Sequence, residues 1–420
     1  MLGIEQTVTS RGIAMRPRIS VYDVLILGGG PAGCAAALAL RRHRPDCRIL
    51  IVEKTATDAW PLRIGENLPP AAAVILGELG LWSAFIRFSF VRSEGTQCCW
   101  GADELLSNDH LFQSFGPGWH LDRKVFDEWL IRRVVRESVD YLAPCRIKKL
   151  EGRPSLRGCA AWRAQLVHRA EDCGDEVDAR CVIDASGRAA SLAKTLRAKR
   201  VTHDQLSAFY SYCTRASVQD GGTRVEATPN GWWYSAPLPD GRLVVAFMTD
   251  RDEARALELN RTSGWLKLLD TSVWTRPRVG SFDGAIKPHC VAAHSQSLNP
   301  VCGLGWFAVG DAAASYDPLS SLGLFKALRN GLIAAYAVGD LLDDRPGIVA
   351  ANERHPALTK YQALMRAELR DYLSKRSLYY GMEQRFRRHP FWRRRHGTLG
   401  LREDSRRAGS PEPESTWNTV

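Results

Sequence analysis

A chain of 420 residues, 45% apolar and 25% charged, is long enough for two or three domains, and it has no apolar run near the ~18 residues that a bilayer span requires. Its formal net charge of +11 gathers late, with six arginines in "QRFRRHPFWRRRHG" from Arg385 to Arg395, and no nucleic-acid motif accompanies them. Eleven cysteines without a C-x-x-C and ten histidines without an H-E-x-x-H exclude a zinc ribbon, a redox pair and a zincin, and they suit a reducing cytoplasm.

Residues 1–20 carry charges but no continuous apolar core, and are expected to be a tail rather than a secretory signal. "VYDVLILGG" then reads as a buried parallel strand, "PAGCAAALALRRH" as a helix and "CRILIVEK" as a second strand, a β-α-β unit with a right-handed crossover. The turn between them sets G-x-G-x-x-G at Gly28, Gly30 and Gly33, with Ala32 inside it. Gly28 permits a tight turn, Gly30 lets backbone N–H groups reach a pyrophosphate, and Gly33 allows close helix–strand packing. Glu53, beside Lys54, closes the second strand 20 residues after Gly33, where it can accept both ribose hydroxyls of an adenosine.

"RIGENLPP" (63–70) follows, with Arg63 and Glu66, and "DRKVFDEWLIRRVVRE" (122–137) repeats apolar residues at helical spacing. Arg123 in the latter is a cation able to contact phosphate or flavin. "CVIDASG" (181–187) reads as a strand ending in a turn at Asp184 and Gly187. Over 205–250, short strand-like pieces are separated by "TPNG" and "LPDG", which are hairpin signals and predict an antiparallel meander. Trp232 and Trp233 would stand at its pocket wall, but neighbours in a strand face opposite sides, so at most one lines it.

"GWFAVGDAA" (305–313) is another strand and turn, carrying Gly310 and Asp311, and Gly323 and Leu324 open a long helix. A carboxylate after a buried strand needs a partner, and a polyol hydroxyl supplies one for Asp311. Pro318 offers a flat apolar face to a ring. The helix dipole at Gly323 favours negative charge on a reduced flavin. The plain alternative is a capped helix, with Asp317, Ser320 or Ser321 as the cap. Residues 346–400 look helical and basic, suited to an acidic protein partner, and 401–420 have the composition of a disordered tail.

In this order and spacing the motifs resemble the two-domain flavin monooxygenases of the p-hydroxybenzoate hydroxylase fold. The resemblance spans about residues 21–345. It implies an α/β architecture: a Rossmann-type FAD-binding domain from 21–85, 115–200 and 285–345, and an inserted antiparallel β-sheet substrate domain from 86–114 and 201–284. A helical segment at 346–400 follows. It implies FAD held by Gly28, Gly30, Ala32, Gly33, Glu53, Lys54, Arg63, Arg123, Asp184, Gly187, Gly310, Asp311, Pro318, Gly323 and Leu324. "DASG" departs from the superfamily's usual aspartate–glycine pairing. No second G-x-G-x-x-G marks a nicotinamide domain, so NAD(P)H or a separate reductase would reduce the flavin.

"DPLSSLG" (317–323) is similar to the loop of flavin-dependent halogenases. Those enzymes relay hypohalous acid through a lysine, yet no lysine occurs between Lys54 and Lys124, no W-x-W occurs, and Ser320 replaces the loop's usual glutamate. "SYDPLSSLGLFKAL" with "GWWYSAPLPDG" looks more like the peptidyl-tryptophan hydroxylases of quinohemoprotein amine dehydrogenase biogenesis. That resemblance implies hydroxylation, twice, of a tryptophan in a partner protein, through a flavin C4a-hydroperoxide with O₂ as co-substrate. The partner would be a small quinohemoprotein subunit, with a radical-SAM enzyme alongside. Asp317, Tyr316 and Glu66 are candidates for deprotonating the ring; capping, packing and loop ordering are their plainer roles. A hydroxylase or reductase of a small aromatic or isoprenoid metabolite, and a flavin-bearing assembly scaffold, are the competing readings.

Overall fold

The computed structural model describes residues 20–56, 64, 66–93, 95–109, 116–153, 161–168, 174–217, 221–282, 286, 288–343 and 355–396. Arg63, the tail before Ser20 and the segment 401–420 lie outside the described residues.

The apolar runs of the sequence become the parallel strands of an eight-stranded sheet. Across it run Trp306–Ala308, Glu176–Asp184, Val21–Leu27, Ile49–Val52 and Asp140–Leu142, with Cys302–Gly303 antiparallel at the edge beside Trp306–Ala308 and with Ala161–His168 and Cys145–Arg153 as an antiparallel arm. Val24–Leu27 and Ile49–Val52 are buried without a break, the pattern of parallel strands inside a sheet. Helix α1 (Pro31–His43) starts on a proline, is alanine-rich, and is buried from Pro31 to Leu40. Helix α2 (Arg123–Arg136) is capped by the Asp122 carboxylate, which accepts from the N–H groups of Lys124 and Val125. Helix α3 (Gly323–Asp343) lies against α1. Small residues permit this: a β-carbon on Gly331 would come within 2.3 Å of the Ala32 carbonyl oxygen.

A seven-stranded sheet holds His289–Ala292, Leu206–Thr214, Arg242–Asp250, Gly231–Pro237, Thr223–Thr228, Gly95–Cys99 and Leu106–Asp109 in that order. Both expected hairpins form, closing at Thr228–Gly231 and Pro237–Leu243. The sheet draws His289–Ala292 from beyond residue 284, and its one parallel pairing joins Thr223–Thr228 to Gly95–Cys99. Each face is covered. Trp233, Val245 and Phe247 pack under the helix Thr262–Asp270, while Trp232, Tyr234 and Met248 face the C-terminal helices. Those are α4 (Pro356–Met382) and α5 (Pro390–His396). No helix among the described residues is long and apolar enough to cross a membrane.

Candidate functional site

Three sequence-distant motifs end at one edge of the parallel sheet. Leu27 lies opposite Asp184, and Asp184 opposite Ala308, so Gly28, Ala185 and Val309 leave the sheet side by side. Gly28 has φ +109°, and a β-carbon there would lie 2.4 Å from the Ala185 carbonyl oxygen. One on Gly33 would lie 2.1 Å from the Gly28 carbonyl oxygen, and one on Gly310 only 2.8 Å from Ala32 Cβ. Around Gly30, Gly187 and Gly323 a β-carbon would meet nothing within 4 Å. No side chain caps α1 at Gly30, so its first N–H groups face that open space. A dinucleotide's pyrophosphate fits there: an uncapped helix N-terminus is a ready anion seat. The Glu53 carboxylate accepts from Gly29 N–H at 2.9 Å and Thr55 N–H at 3.1 Å, which aims it at the same turn. Lys54 is exposed.

Asp184 is fully buried and serves its own turn. It accepts from the Ser186 N–H and hydroxyl and from the Leu192 N–H, and burial raises its pKa. That accounts for the serine of "DASG", whose hydroxyl bonds Asp184 at 2.6 Å. Arg123 is held by a two-pronged pair with Asp127 at 3.1–3.2 Å, and its guanidinium also reaches the Ile64 carbonyl at 3.5 Å.

The late segment departs from the sequence expectation at two places. Asp311 is paired within the protein: the Lys326 ammonium, 2% exposed, lies 2.9 Å from it and 4.2 Å from the centre of the Tyr316 ring. The Asp311 side chain stays 37% exposed and so keeps acceptor capacity for a ligand. Tyr316 is a packing residue. Its ring stacks on Tyr372 at 3.9 Å, and burial pushes its phenol far above the ordinary range, so it stays protonated. Asp317 caps the short turn Pro318–Ser320 by accepting from Leu319 N–H at 2.9 Å. Burial raises its pKa while the Arg376 guanidinium opposes that shift. Pro318 is half-buried on this turn, and Leu324 is buried in the core. Glu66, 1% exposed, accepts from the Tyr234 hydroxyl.

Neither tryptophan of the expected pocket wall is exposed. Trp233 lies on the outer face of the sheet against Phe247 and Trp265. Trp232 faces inward and donates its indole N–H to the Tyr380 hydroxyl at 3.0 Å. The C-terminal helix also supplies residues that sequence reading missed. Tyr380 donates to Asp317 at 2.8 Å, Arg376 bridges Asp317 (3.4 Å) and Asp204 (3.1 Å), and Tyr372 accepts from the Asp317 N–H at 2.8 Å. Their signal was a four-residue spacing of polar and aromatic residues in a region read only as basic. The basic run itself divides. Arg385 pairs with Glu383 and Asp103, Arg394 with Asp250 and Asp252, and buried Arg395 with Asp250, so these three are structural. Arg387, Arg388 and Arg393 are exposed and carry no ion pair among the described residues.

The tryptophan halogenase family model matches residues 101–407. The chain belongs to the tryptophan halogenase family. This family member is 32% identical over 389 residues to LodB of Marinomonas mediterranea, which its name calls an FAD-dependent oxidoreductase; the match covers 91% of this chain and 99% of LodB. Its fold matches the flavin-dependent halogenase CmlS with a TM-score of 0.77 at 21% identity, over 92% of this chain and 70% of that one. It also matches QhpG, described as a peptidyl tryptophan dihydroxylase essential for tryptophylquinone cofactor biogenesis. There the TM-score is 0.63 at 23% identity, over 89% of this chain and 78% of QhpG. This family member is thus an FAD-dependent flavoenzyme with a Rossmann-type α/β fold. Among the described residues no cluster of His, Cys, Asp and Glu could hold a metal ion.

Proposed function

We propose that this flavoenzyme hydroxylates, twice, a tryptophan side chain in a partner protein, as the first step toward a tryptophylquinone. The observation that carries the reading is where its lysines are. None lies between Lys54 and Lys124, the stretch expected to relay hypohalous acid. Lys326 is the only buried lysine among the described residues, and it is committed to Asp311. An ammonium tied to a carboxylate at 2.9 Å is a poor carrier of an electrophilic halogen. QhpG's described activity agrees with this reading.

FAD would sit with its pyrophosphate at Gly30 and the first turn of α1, and its adenosine ribose at Glu53. Asp311 would take its ribityl hydroxyls, and Pro318 and Gly323 its ring. When reduced, it supplies the electron pair that splits O₂, one atom going to the indole and the other leaving as water. The chain's own contribution is to bind, orient and exclude water. Tyr316, Asp317 and Glu66 are each held in buried contacts, so none of the three is assigned to ring deprotonation, and Glu66 orders its loop. It lies on the inner side of the seven-stranded sheet with Tyr234. The unpaired Arg387, Arg388 and Arg393, with Leu378, Tyr379 and Met382 exposed nearby in sequence, suit an acidic protein partner.

The test is mass spectrometry of the candidate partner after incubation with full-length enzyme, FAD, a flavin reductase, NAD(P)H and O₂. Two oxygens gained on one tryptophan are expected, with and without added bromide. An unchanged partner together with bromination of free indoles would overturn the reading in favour of halogenation.

A further inference from the structure

The strongest unassigned feature is a row of side chains on α4 at strict four-residue steps: Glu368, Tyr372, Arg376 and Tyr380. Residues four apart share a helix face, so the row presents one continuous edge. Every member meets the two-residue segment Tyr316–Asp317 or its immediate support. The Glu368 carboxylate lies beside the Tyr316 hydroxyl and also accepts from Arg329 (2.9 Å) and Asn330 (3.1 Å) of α3. The Tyr372 ring stacks on Tyr316 with an interplanar angle of 5°, and its hydroxyl accepts from Asp317 N–H while sharing a 2.6 Å hydrogen bond with Ser295. Arg376 is shared between Asp317 and Asp204, and the Tyr380 hydroxyl links Asp317 to the Trp232 indole. About two turns before Glu368, the Tyr361 hydroxyl donates to the Ala308 carbonyl at 2.7 Å, on the strand that leads into Asp311.

We propose that α4 is the brace of the flavin seat: Tyr372, Arg376 and Tyr380 are positioning residues that fix Asp317, and through it the turn Pro318–Ser321 that opens into Gly323. The physical reason is the cost of the carboxylate's position. Asp317 is 1% exposed, and a buried charge persists only where donors meet it. Its own turn gives it one N–H, from Leu319; α4 supplies the guanidinium and the phenol. Without them the carboxylate turns to solvent and the turn loses its cap. Ser321, at φ +51°, holds a left-handed conformation that the surrounding contacts must enforce. The inference rests on the proposed placement of the flavin ring at Pro318 and Gly323.

The experiment is FAD titration of full-length apoprotein, with the visible band of bound flavin and thermal unfolding recorded for each variant. Arg376→Met strands the Asp317 and Asp204 carboxylates and is expected to impair folding, so the phenols carry the test. Tyr372→Phe and Tyr380→Phe are each expected to weaken FAD about tenfold and to alter the band near 450 nm, at a folded fraction close to wild type. Tyr380→Phe added to Asp317→Asn is expected to weaken binding no more than about twofold further, because both act through one contact. Leu364→Ala, at an exposed position of α4, is expected to leave FAD affinity and the band unchanged. Phenol variants with wild-type affinity and band shape would overturn the brace, as would effects that multiply in the double variant or merely follow loss of folded protein. Wild-type protein that takes up FAD with no perturbation by Pro318→Gly would instead sink the ring placement on which the inference rests.

Discussion

The ammonium of Lys326 lies 2.9 Å from the Asp311 carboxylate, joining the first turn of α3 to the turn that follows Ala308. Lys326 also donates to the Ala314 carbonyl, so one buried cation ties together the whole stretch from Asp311 to Tyr316. Lys326→Met is therefore expected to cost about 2 kcal/mol in urea unfolding. That is below the 3–5 kcal/mol of a fully buried pair, because Asp311 keeps access to water. It should also loosen FAD, read by flavin fluorescence on dilution. Wild-type retention of FAD would separate Asp311 from the cofactor.

The glycines of the fingerprint are expected to fail in different ways. A side chain at Gly30 enters open space, so Gly30→Val should keep stability within about 0.5 kcal/mol while abolishing the yellow colour of the purified protein. Gly33→Ala drives a methyl against the Gly28 carbonyl and should cost about 1–3 kcal/mol, with or without FAD. Denaturation curves and absorbance spectra of the two variants decide the matter. A yellow Gly30→Val protein would refute the assignment of the pyrophosphate to α1.

Asp204 gives a pH signature. Burial opposes its ionisation, but Arg376 and hydrogen bonds from Ser295 and Leu206 outweigh that and hold its pKa below the ordinary 3.8. A depressed carboxylate contributes stability above its unfolded pKa and loses it as pH falls through the folded value. The stability gap between wild type and Asp204→Asn should thus be constant from about pH 7 to 5 and narrow below about pH 4. Urea midpoints at stepped pH test this; a gap that widens in acid would reverse the sign.

Charge reversal should divide the arginine run. Arg387→Glu, Arg388→Glu and Arg393→Glu together are expected to weaken capture of an acidic partner, and the wild-type interaction should fade with rising salt while FAD content stays unchanged. Arg395→Glu sets a carboxylate against buried Asp250 and should cost about 3–5 kcal/mol or prevent folding. Partner binding that is indifferent to the first set and to salt would dismiss this surface.

Legibility followed locality. The nucleotide turn could be read because Gly28, Gly30, Gly33 and Glu53 belong to one contiguous β-α-β unit whose chemistry is set by spacing. The hairpins at Asn230–Gly231 and Asp240–Gly241 were equally local. For Tyr316 and Asp317 the sequence left catalysis open beside packing and capping, because the partners that hold them, Tyr372, Arg376 and Tyr380, lie more than fifty residues downstream. Trp232 and Trp233 showed their alternation in the sequence, but what covers each face depends on helices far along the chain.

By itself, the sequence determined an α/β flavoprotein with a hairpin-built sheet, its nucleotide turn and the order of its motifs, because strand burial, glycine spacing and hairpin turns are short-range properties. Tertiary structure decided which carboxylates are free for chemistry and which arginines are free for partners. Whether a charge is committed depends on what the fold brings within about 4 Å of it, and those groups come from opposite ends of the chain.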